Sequence, residues 1–380
     1  MTSTIERPAF LYWGRRGPML RLARDLADAA REAGIDCLVS LSRQNAGMGD
    51  FADLGDRLVA VSTFDRGIGA LTRLGALPAA WRELKAGLAR GRADAVIVLM
   101  PHVWTPLIAR PVQRLGLPYG VIIHDARPHP GDRTALVTRW LLRDAFLADR
   151  VFTLSGAVAD DLVRIGVAPE RIVRTFHPDL HYAGAPDAIG GALAAAAGRR
   201  DGGCRAGGPL RVLFFGRVLA YKGLPLFLDA LERLAAAGVP VEASLVGEGE
   251  IGPEAGRLAR LGVDVVNRWV DDAEVAAIFR RHDVVALTYT EASQSGVVSA
   301  AAAQGVPAVV TPVGGLVEQV ADGTTGLIAT AVSGEAVAAA LARLAGDRPL
   351  LGHLRRELAA AAEARSSRRF LGDLLAGFAG

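Results

Sequence analysis

Short apolar runs and helical stretches alternate along the whole chain, in two successive series. In the first half the runs lie at 9–14, 36–42, 94–100, 119–125 and 150–156. In the second half they lie at 210–217, 241–249, 263–270, 283–290, 306–315 and 325–329. Each run is continuously apolar rather than alternating, which predicts strands that are buried on both faces and therefore parallel sheets covered by helices.

The two series predict two domains. A chain of 380 residues exceeds the usual size of a single core. We therefore expect an α/β protein with a Rossmann-like domain over 1–185 and a second one over 209–350. The Ala/Gly-rich stretch 186–208 is interpreted as the linker, and 351–380 as C-terminal helices that return to the first domain.

Composition narrows the class of protein. Hydrophobic residues make up 51% of the chain and charged residues 22%, as in a soluble globular enzyme. A formal charge of +3 is too small to indicate a nucleic-acid partner. Cys37 and Cys204 form neither a disulfide framework nor a metal cluster, which favours a reducing cytoplasm. We see no signal-peptide pattern and no apolar run long enough for a transmembrane helix.

A lone carboxylate follows one of the predicted strands. Glu291 comes directly after the run 283–290, and Gly296 begins the next predicted helix. Ligands of open parallel sheets bind beyond the carboxyl ends of the strands, and a helix start suits phosphate. The stretch therefore suggests a site in which Glu291 accepts from sugar hydroxyls. The alternative is an exposed loop acid, with Ser293 or Ser295 as the helix N-cap.

Two cations follow another predicted strand. Arg217 and Lys222 lie in the loop after the run 210–217. A planar guanidinium and a compact ammonium are the usual pair for binding a diphosphate. The alternative interpretation is a pair of solvated loop cations, which is the common fate of lysine and arginine at a surface.

These stretches resemble a known family. FFGRVLAYKGLPLFLDAL and EASQSGVVSAAAAQGVPAVVTPVGGLVEQVADGTTGLIA look like the donor half of family 4 glycosyltransferases. The resemblance is strong over 210–330 and weaker elsewhere. It implies the GT-B fold, in which two Rossmann-like domains face a central crevice. It also implies a retaining sugar transfer from a nucleotide-sugar donor, with no metal and no other cofactor.

The resemblance also implies roles for individual residues of the second half. Arg217 and Lys222 would hold the diphosphate and stabilise the charge of the leaving nucleotide. Glu291 would contact the hydroxyls of the donor sugar. The other implied donor-binding positions are Gly216, Ser295, Gly296 and Val297.

In the first half, the resemblance points to a glycine-containing loop and a histidine. The loop after the first strand, with Gly14, Arg15 and Gly17, would face the diphosphate. His124 would stand near the primary hydroxyl of the donor sugar or near the acceptor. The alternative for His124 and Asp125 is a strand-end pair whose hydrogen bonds are satisfied within the protein.

The chain departs from the family pattern at one position. The family usually carries two glutamates with seven residues between them, and the second binds the ribose of the nucleotide. Counting from Glu291 places that position at Ser299, whereas counting back from Gly305 places it at Ala300. Neither is a carboxylate, so the sequence predicts a variant that lacks the second glutamate.

The sequence as a whole predicts a cytoplasmic glycosyltransferase acting on a glycan, a lipid-linked molecule or a small molecule. A GT-B protein that only binds nucleotide or glycan, and a nucleotide-sugar epimerase or hydrolase, remain alternatives. The basic stretch 72–92 allows two interpretations. It is either a peripheral contact with the inner face of the membrane or a core-packing helix with a solvated basic face.

Overall fold

A computed structural model describes residues 5–64, 74–127, 135–182 and 208–379, so nearly all of the predicted linker lies outside the described residues. The chain divides into two compact units. Of the described residues, 5–64, 74–127, 135–178 and 365–379 belong to the first unit, and 179–182 and 208–364 belong to the second.

The first unit is built on a parallel sheet. Its strands are β1 (Pro8–Tyr12), β2 (Leu38–Ser42), β3 (Leu58–Val61), β4 (Ala95–Val98), β5 (Tyr119–Ile123), β6 (Arg150–Thr153) and β7 (Ile172–Arg174). They pair in the order β3-β2-β1-β4-β5-β6-β7. The helices around this sheet are α1 (Pro18–Glu32), α2 (Leu77–Arg90), α3 (Thr105–Gln113), α4 (Ala135–Leu141), α5 (Arg143–Leu147) and α6 (Gly156–Arg164).

The second unit repeats this architecture with a six-stranded parallel sheet. Its strands are β8 (Leu210–Phe215), β9 (Val241–Val246), β10 (Asp264–Val266), β11 (Val284–Leu287), β12 (Ala308–Val310) and β13 (Gly326–Ile328), in the order β10-β9-β8-β11-β12-β13. Its helices are α7 (Leu224–Ala236), α8 (Ala255–Arg260), α9 (Asp272–Arg280), α10 (Gly296–Ala303), α11 (Leu316–Gln319), α12 (Gly334–Gly346) and α13 (Arg348–Ala360). Within the described ranges no helix is long and apolar enough to cross a bilayer.

The predicted fold class, two Rossmann-like parallel-sheet domains, is confirmed. The apolar runs become strands because their side chains are buried on both faces, as in β1 and β4. Two strands escaped the sequence pattern, namely β3 and β7. Both lie at edges of the first sheet and are only partly buried. Strand β3 is a run of only four apolar residues, LVAV, and β7 has only two apolar residues before Arg174.

The C-terminal residues divide between the two units. Helix α13 belongs to the second unit, where Arg348 and Arg355 contact the buried carboxylate of Asp283. The last helix, α14 (Ser367–Ala376), belongs to the first unit and packs against α1. Phe370 of α14 packs edge-to-face on Phe176, at 5.7 Å between ring centroids.

A buried carboxyl group joins α3, α5 and β5. Asp144 is fully buried, and its two oxygens contact the hydroxyls of Thr105 and Tyr119. The Thr105 hydroxyl accepts from the His102 amide (2.9 Å) and donates to the His102 carbonyl (2.7 Å). The Thr105 hydroxyl shares its single proton between the His102 carbonyl and one Asp144 oxygen, and the Tyr119 hydroxyl donates to the other Asp144 oxygen at 3.1 Å. Burial raises the pKa of Asp144 to about 7, although the hydrogen bonds from the two hydroxyls act in the opposite direction.

This carboxyl group should make the stability of the first unit depend on pH. The folded pKa of Asp144 lies above its unfolded value of 3.8, so its contribution is complete below about pH 4 and is lost as the pH rises through 7. Asp144→Asn mimics the neutral acid. Between pH 4 and pH 8 the variant should gain at least ~1 kcal/mol of unfolding free energy relative to the wild type. Urea titrations across this range measure the difference, and parallel pH profiles would contradict the raised pKa of Asp144.

Candidate active site

The carboxyl end of β8 brings three of the predicted residues together. Gly216 follows the strand with a φ of 99°, which favours glycine. A Cβ at Gly216 would lie 2.8 Å from the Lys222 amine and 3.6 Å from Val297 Cγ2. The Lys222 ammonium therefore lies against the backbone of Gly216, in the space that a side chain would fill.

Lys222 is a buried cation. Its side chain is only 8% exposed, and its amine lies 5.1 Å from the centre of the Tyr289 ring. Among the described residues, no carboxylate lies within ion-pair distance of this amine. A buried lysine is costly unless a negative group compensates its charge, so this position suits an anionic ligand.

Hydrogen bonds join the loop that carries Lys222 to the loop that carries Glu291. The Thr290 amide donates to the Tyr221 carbonyl at 2.8 Å. The Thr288 hydroxyl is placed to donate to the carbonyls of Lys222 (3.1 Å) and Gly223 (2.9 Å). The predicted carboxylate and the predicted cation are thus carried by two loops that are fixed to each other.

Arg217 and Glu291 differ from Lys222 in burial. The Arg217 side chain is exposed, beside Gly216, and no described carboxylate pairs with it. Glu291 is half-buried. Arg217 therefore has the freedom to move onto a ligand, whereas the Lys222 amine is already fixed.

The start of α10 is held by a glutamine that the sequence analysis did not single out. Ser295 is the N-cap, and its hydroxyl accepts from the Val297 amide at 3.2 Å. The Gln319 side chain accepts from the Ser295 amide (2.7 Å) and donates to the Ser295 carbonyl (3.0 Å). This pair of bonds fixes the turn before Gly296, so the first amides of α10 have a defined direction.

The GG pair after β12 explains how the Glu291 loop is positioned. Gly314 has a φ of 45°, and a Cβ there would collide with the carbonyl oxygen of Ala292. The neighbouring Gly315 amide donates to the same oxygen at 3.1 Å. The backbone of the residue after Glu291 is therefore packed directly on the glycine pair.

The position of the missing second glutamate lies inside α10. Ser299 and Ala300 are both buried on this helix. The Ser299 hydroxyl lies 3.5 Å from the Gln319 side-chain nitrogen. Neither Ser299 nor Ala300 is a carboxylate. The polar side chain that faces Ser299 on this side of α10 is that of Gln319.

In the first unit, the loop 14–17 connects β1 to α1. The Asn45 side chain donates to the Gly14 carbonyl at 2.7 Å, which fixes the beginning of the loop. The Arg15 side chain is exposed, and Gly17 is the N-cap of α1 with a φ of 120°. The loop thus presents a cation next to a helix start, at the carboxyl end of β1.

His124 lies at the carboxyl end of β5 and is buried. Its Nε2 donates to the Leu99 carbonyl at 2.8 Å, because a carbonyl can only accept. Burial lowers the pKa of His124 below the usual value for histidine, so the ring is neutral near pH 7. Its Nδ1 is then an acceptor. One ring nitrogen of His124 is thus hydrogen-bonded within the protein. This geometry is compatible both with a role at the donor or acceptor and with a strand-end residue satisfied within the fold.

Metal-ligating side chains are not grouped in the described part of the chain. Within those ranges no cluster of three His, Cys, Asp or Glu residues has an arrangement suited to a metal ion. The Lys222 amine instead lies beside the Gly216 backbone, close to Val297 at the start of α10.

Family models match both halves of the chain. Residues 19–175 match a glycosyl transferase 4-like domain, and residues 209–347 match the glycosyl transferases of group 1. Together the two matches cover about three quarters of the chain. The chain therefore belongs to the glycosyltransferases of the GT-B fold. No curated protein has a significantly similar sequence.

Solved structures share the fold at low sequence identity. Anabaena HepE, in complex with UDP and glucose, has 19% identity and a TM-score of 0.70 over 98% of each chain. Sucrose-phosphate synthase from Thermosynechococcus elongatus has 17% identity and a TM-score of 0.70, over 97% of this chain and 98% of that one. S. aureus TarM, bound to UDP, Fondaparinux and α-GlcNAc-glycerol, has 10% identity and a TM-score of 0.67, over 98% of this chain and 100% of that one.

Proposed function

We propose that the protein is a retaining, metal-independent glycosyltransferase that binds a nucleotide-sugar at the carboxyl edge of its second sheet. The observation that carries the proposal is the buried Lys222 ammonium, which has no carboxylate partner among the described residues. A diphosphate would supply the missing negative charge. Two structural neighbours bind UDP, so UDP-sugars are the first donors to test.

The cations would act on the leaving group. As the bond between sugar and phosphate breaks, negative charge accumulates on the diphosphate. The Lys222 amine, already fixed against Gly216, stabilises that charge without reorganisation. The exposed Arg217 closes on the phosphate oxygens once the donor is bound, and the first amides of α10 donate to the same anion.

Glu291 would act on the donor sugar. Its carboxylate accepts from sugar hydroxyls and favours the positive charge that develops at the anomeric carbon. Retention then proceeds with the acceptor entering on the face from which the phosphate departs, and the phosphate takes the acceptor proton. Glu291 orients the sugar in this scheme and does not attack it. The neutral His124, with Nδ1 as an acceptor, is assigned to a hydroxyl of donor or acceptor.

A protein that binds nucleotide or glycan without turnover is the second candidate. The absence of a carboxylate at Ser299 or Ala300 favours it, because the family uses that acid to bind ribose. Incubation with a panel of nucleotide-sugars and glycan acceptors, with released nucleotide as the readout, separates the candidates. Acceptor-dependent release supports a transferase, release without acceptor indicates a hydrolase, a new sugar isomer without release indicates an epimerase, and binding alone supports the second candidate.

Chelation tests the metal-independent part of the proposal. Because cations and helix amides neutralise the diphosphate in this scheme, turnover in excess EDTA should stay within about twofold of the untreated rate. The measurement is nucleotide release with and without chelator. Loss of activity that Mg²⁺ or Mn²⁺ restores would show that a metal carries the leaving-group charge.

A further inference from the structure

An exposed stripe of apolar and basic residues runs along α4 and α5. Leu136 is 81% exposed, the highest value among the exposed large hydrophobic residues of the described chain. Arg139, Arg143 and Phe146 follow it at spacings of three, seven and ten residues, and all three are exposed. These spacings place the four side chains on one helical face, since α5 continues α4 after a single residue.

Helix α3 extends this stripe sideways. Leu107 and Arg110 are exposed on it at a spacing of three residues. The helix is fixed to α5 by the Gln113 side chain, which donates to the Leu147 carbonyl at 3.0 Å. We call the combined face the α3–α5 surface, formed by Leu107, Arg110, Leu136, Arg139, Arg143 and Phe146.

The charge of the α3–α5 surface has one sign. The only acidic residue in the sequence of α3, α4 and α5 is Asp144, which is fully buried. The Arg143 guanidinium lies 5.3 Å from the centre of the Trp140 ring and pairs with no described carboxylate. Exposed apolar side chains are thus interspersed with arginines whose charge is not neutralised on the same helices.

Helix α2, the basic stretch of the sequence analysis, differs from this surface. Its half-buried Trp81 packs against the core of the first unit. Its exposed positions carry Arg82, Lys85 and Arg90 but no large apolar side chain. Helix α2 therefore has the features of a core-packing helix with a solvated basic face.

We propose that the α3–α5 surface binds the surface of an anionic lipid bilayer. Leu136 and Phe146 enter the boundary between headgroups and acyl chains, and the arginines reach the lipid phosphates. An acidic protein would satisfy the arginines equally well, but it offers no general partner for scattered apolar side chains. The bilayer takes both kinds of group, and the binding does not depend on the transferase activity.

Vesicle sedimentation of the full chain tests this proposal. Wild-type protein should bind vesicles of phosphatidylcholine with 30% phosphatidylglycerol at least tenfold more tightly than phosphatidylcholine alone. Leu136→Ser and the double variant R139E/R143E should each lose at least tenfold of that affinity. Matched controls are Val332→Ser and Arg233→Glu, two exposed positions of the second unit, which should bind like the wild type. Unchanged thermal unfolding confirms that each variant is folded.

Each other outcome has a defined meaning. Equal binding of the folded double variant and the wild type would overturn the proposal, as would failure of the wild type to sediment with anionic vesicles at low salt. Loss of binding in R82E/K85E, with the α3–α5 variants unaffected, would assign the contact to α2 instead. The bilayer would also be refuted as the partner if the protein does not bind vesicles but captures an acidic protein through Arg139 and Arg143.

Discussion

Lys222→Ala should lower turnover by ~10²–10³ while the protein remains folded, as removal of a preorganised donor to a developing anion does elsewhere. The amine is fixed against Gly216 and buried, so no solvent cation replaces it. The loss should appear in kcat and in kcat/KM, because the charge on the diphosphate is larger in the transition state than in the bound donor. Steady-state nucleotide release measures both constants. Arg217→Ala should lower turnover in the same range.

The thermal stability of Lys222→Ala shows whether Lys222 acts on the diphosphate or instead holds the fold together. Removing an uncompensated buried charge relieves a desolvation cost, so Lys222→Ala should unfold at the wild-type temperature or above it. Lys85→Ala, at an exposed position of α2, is the control and should change neither rate nor stability. A folded Lys222→Ala protein with near-normal turnover would refute the diphosphate assignment.

Glu291→Gln should lower turnover by at least ~10² and leave nucleotide binding within a few-fold of the wild type. The substitution keeps the size of the side chain and one acceptor, but it removes the charge that favours a developing cation on the sugar. Nucleotide binding depends on Lys222, Arg217 and the start of α10 in this scheme. Titration with nucleoside diphosphate, together with turnover, measures the two effects separately.

Ser299→Ala is the complementary variant. If no group has replaced the family's second acid, its cost in nucleotide affinity is at most ~1 kcal/mol, the value of one neutral hydrogen bond. A larger loss would show that Ser299 has taken over the ribose contact. Abolished nucleotide binding in Glu291→Gln would mean that Glu291 itself holds the nucleotide, which contradicts the division of roles proposed above.

Much of the candidate site could be predicted because it follows from position along the chain. In a parallel sheet every carboxyl end lies at the same edge, so Lys222 after β8 and Glu291 after β11 belong to that edge without further information. The start of α10 at Gly296 was predictable for the same reason. The choice of Ser295 rather than Ser293 as N-cap was not, because both residues have suitable side chains.

Two features of the structure, the contact of Gln319 with Ser295 and the buried Asp144, have no recognisable pattern in the sequence. Gln319 lies 24 residues from Ser295 and is joined to it only because α11 packs beside the start of α10. The raised pKa of Asp144 results from its burial against α3 and β5, whose Thr105 and Tyr119 hydroxyls contact it. A polar residue in a helix pattern is normally interpreted as solvent-exposed, and only its neighbours in space decide otherwise.

The sequence by itself determined the two series of buried parallel strands, and with them the residues that follow each strand, because continuous apolar runs bury both of their faces. Only the tertiary structure decided which strands are neighbours. Strand β11 pairs with β8, and Val284 lies beside Val212, which is 72 residues earlier in the chain. This pairing, with the hydrogen bonds of Thr288 and Thr290, brings Lys222 and Glu291 onto adjoining loops. The tertiary structure also decided that α14 joins the first unit, where Phe370 packs on Phe176. The physical reason is that pairing between distant strands and helices depends on the shape complementarity of whole packed surfaces, which no local pattern of residues encodes.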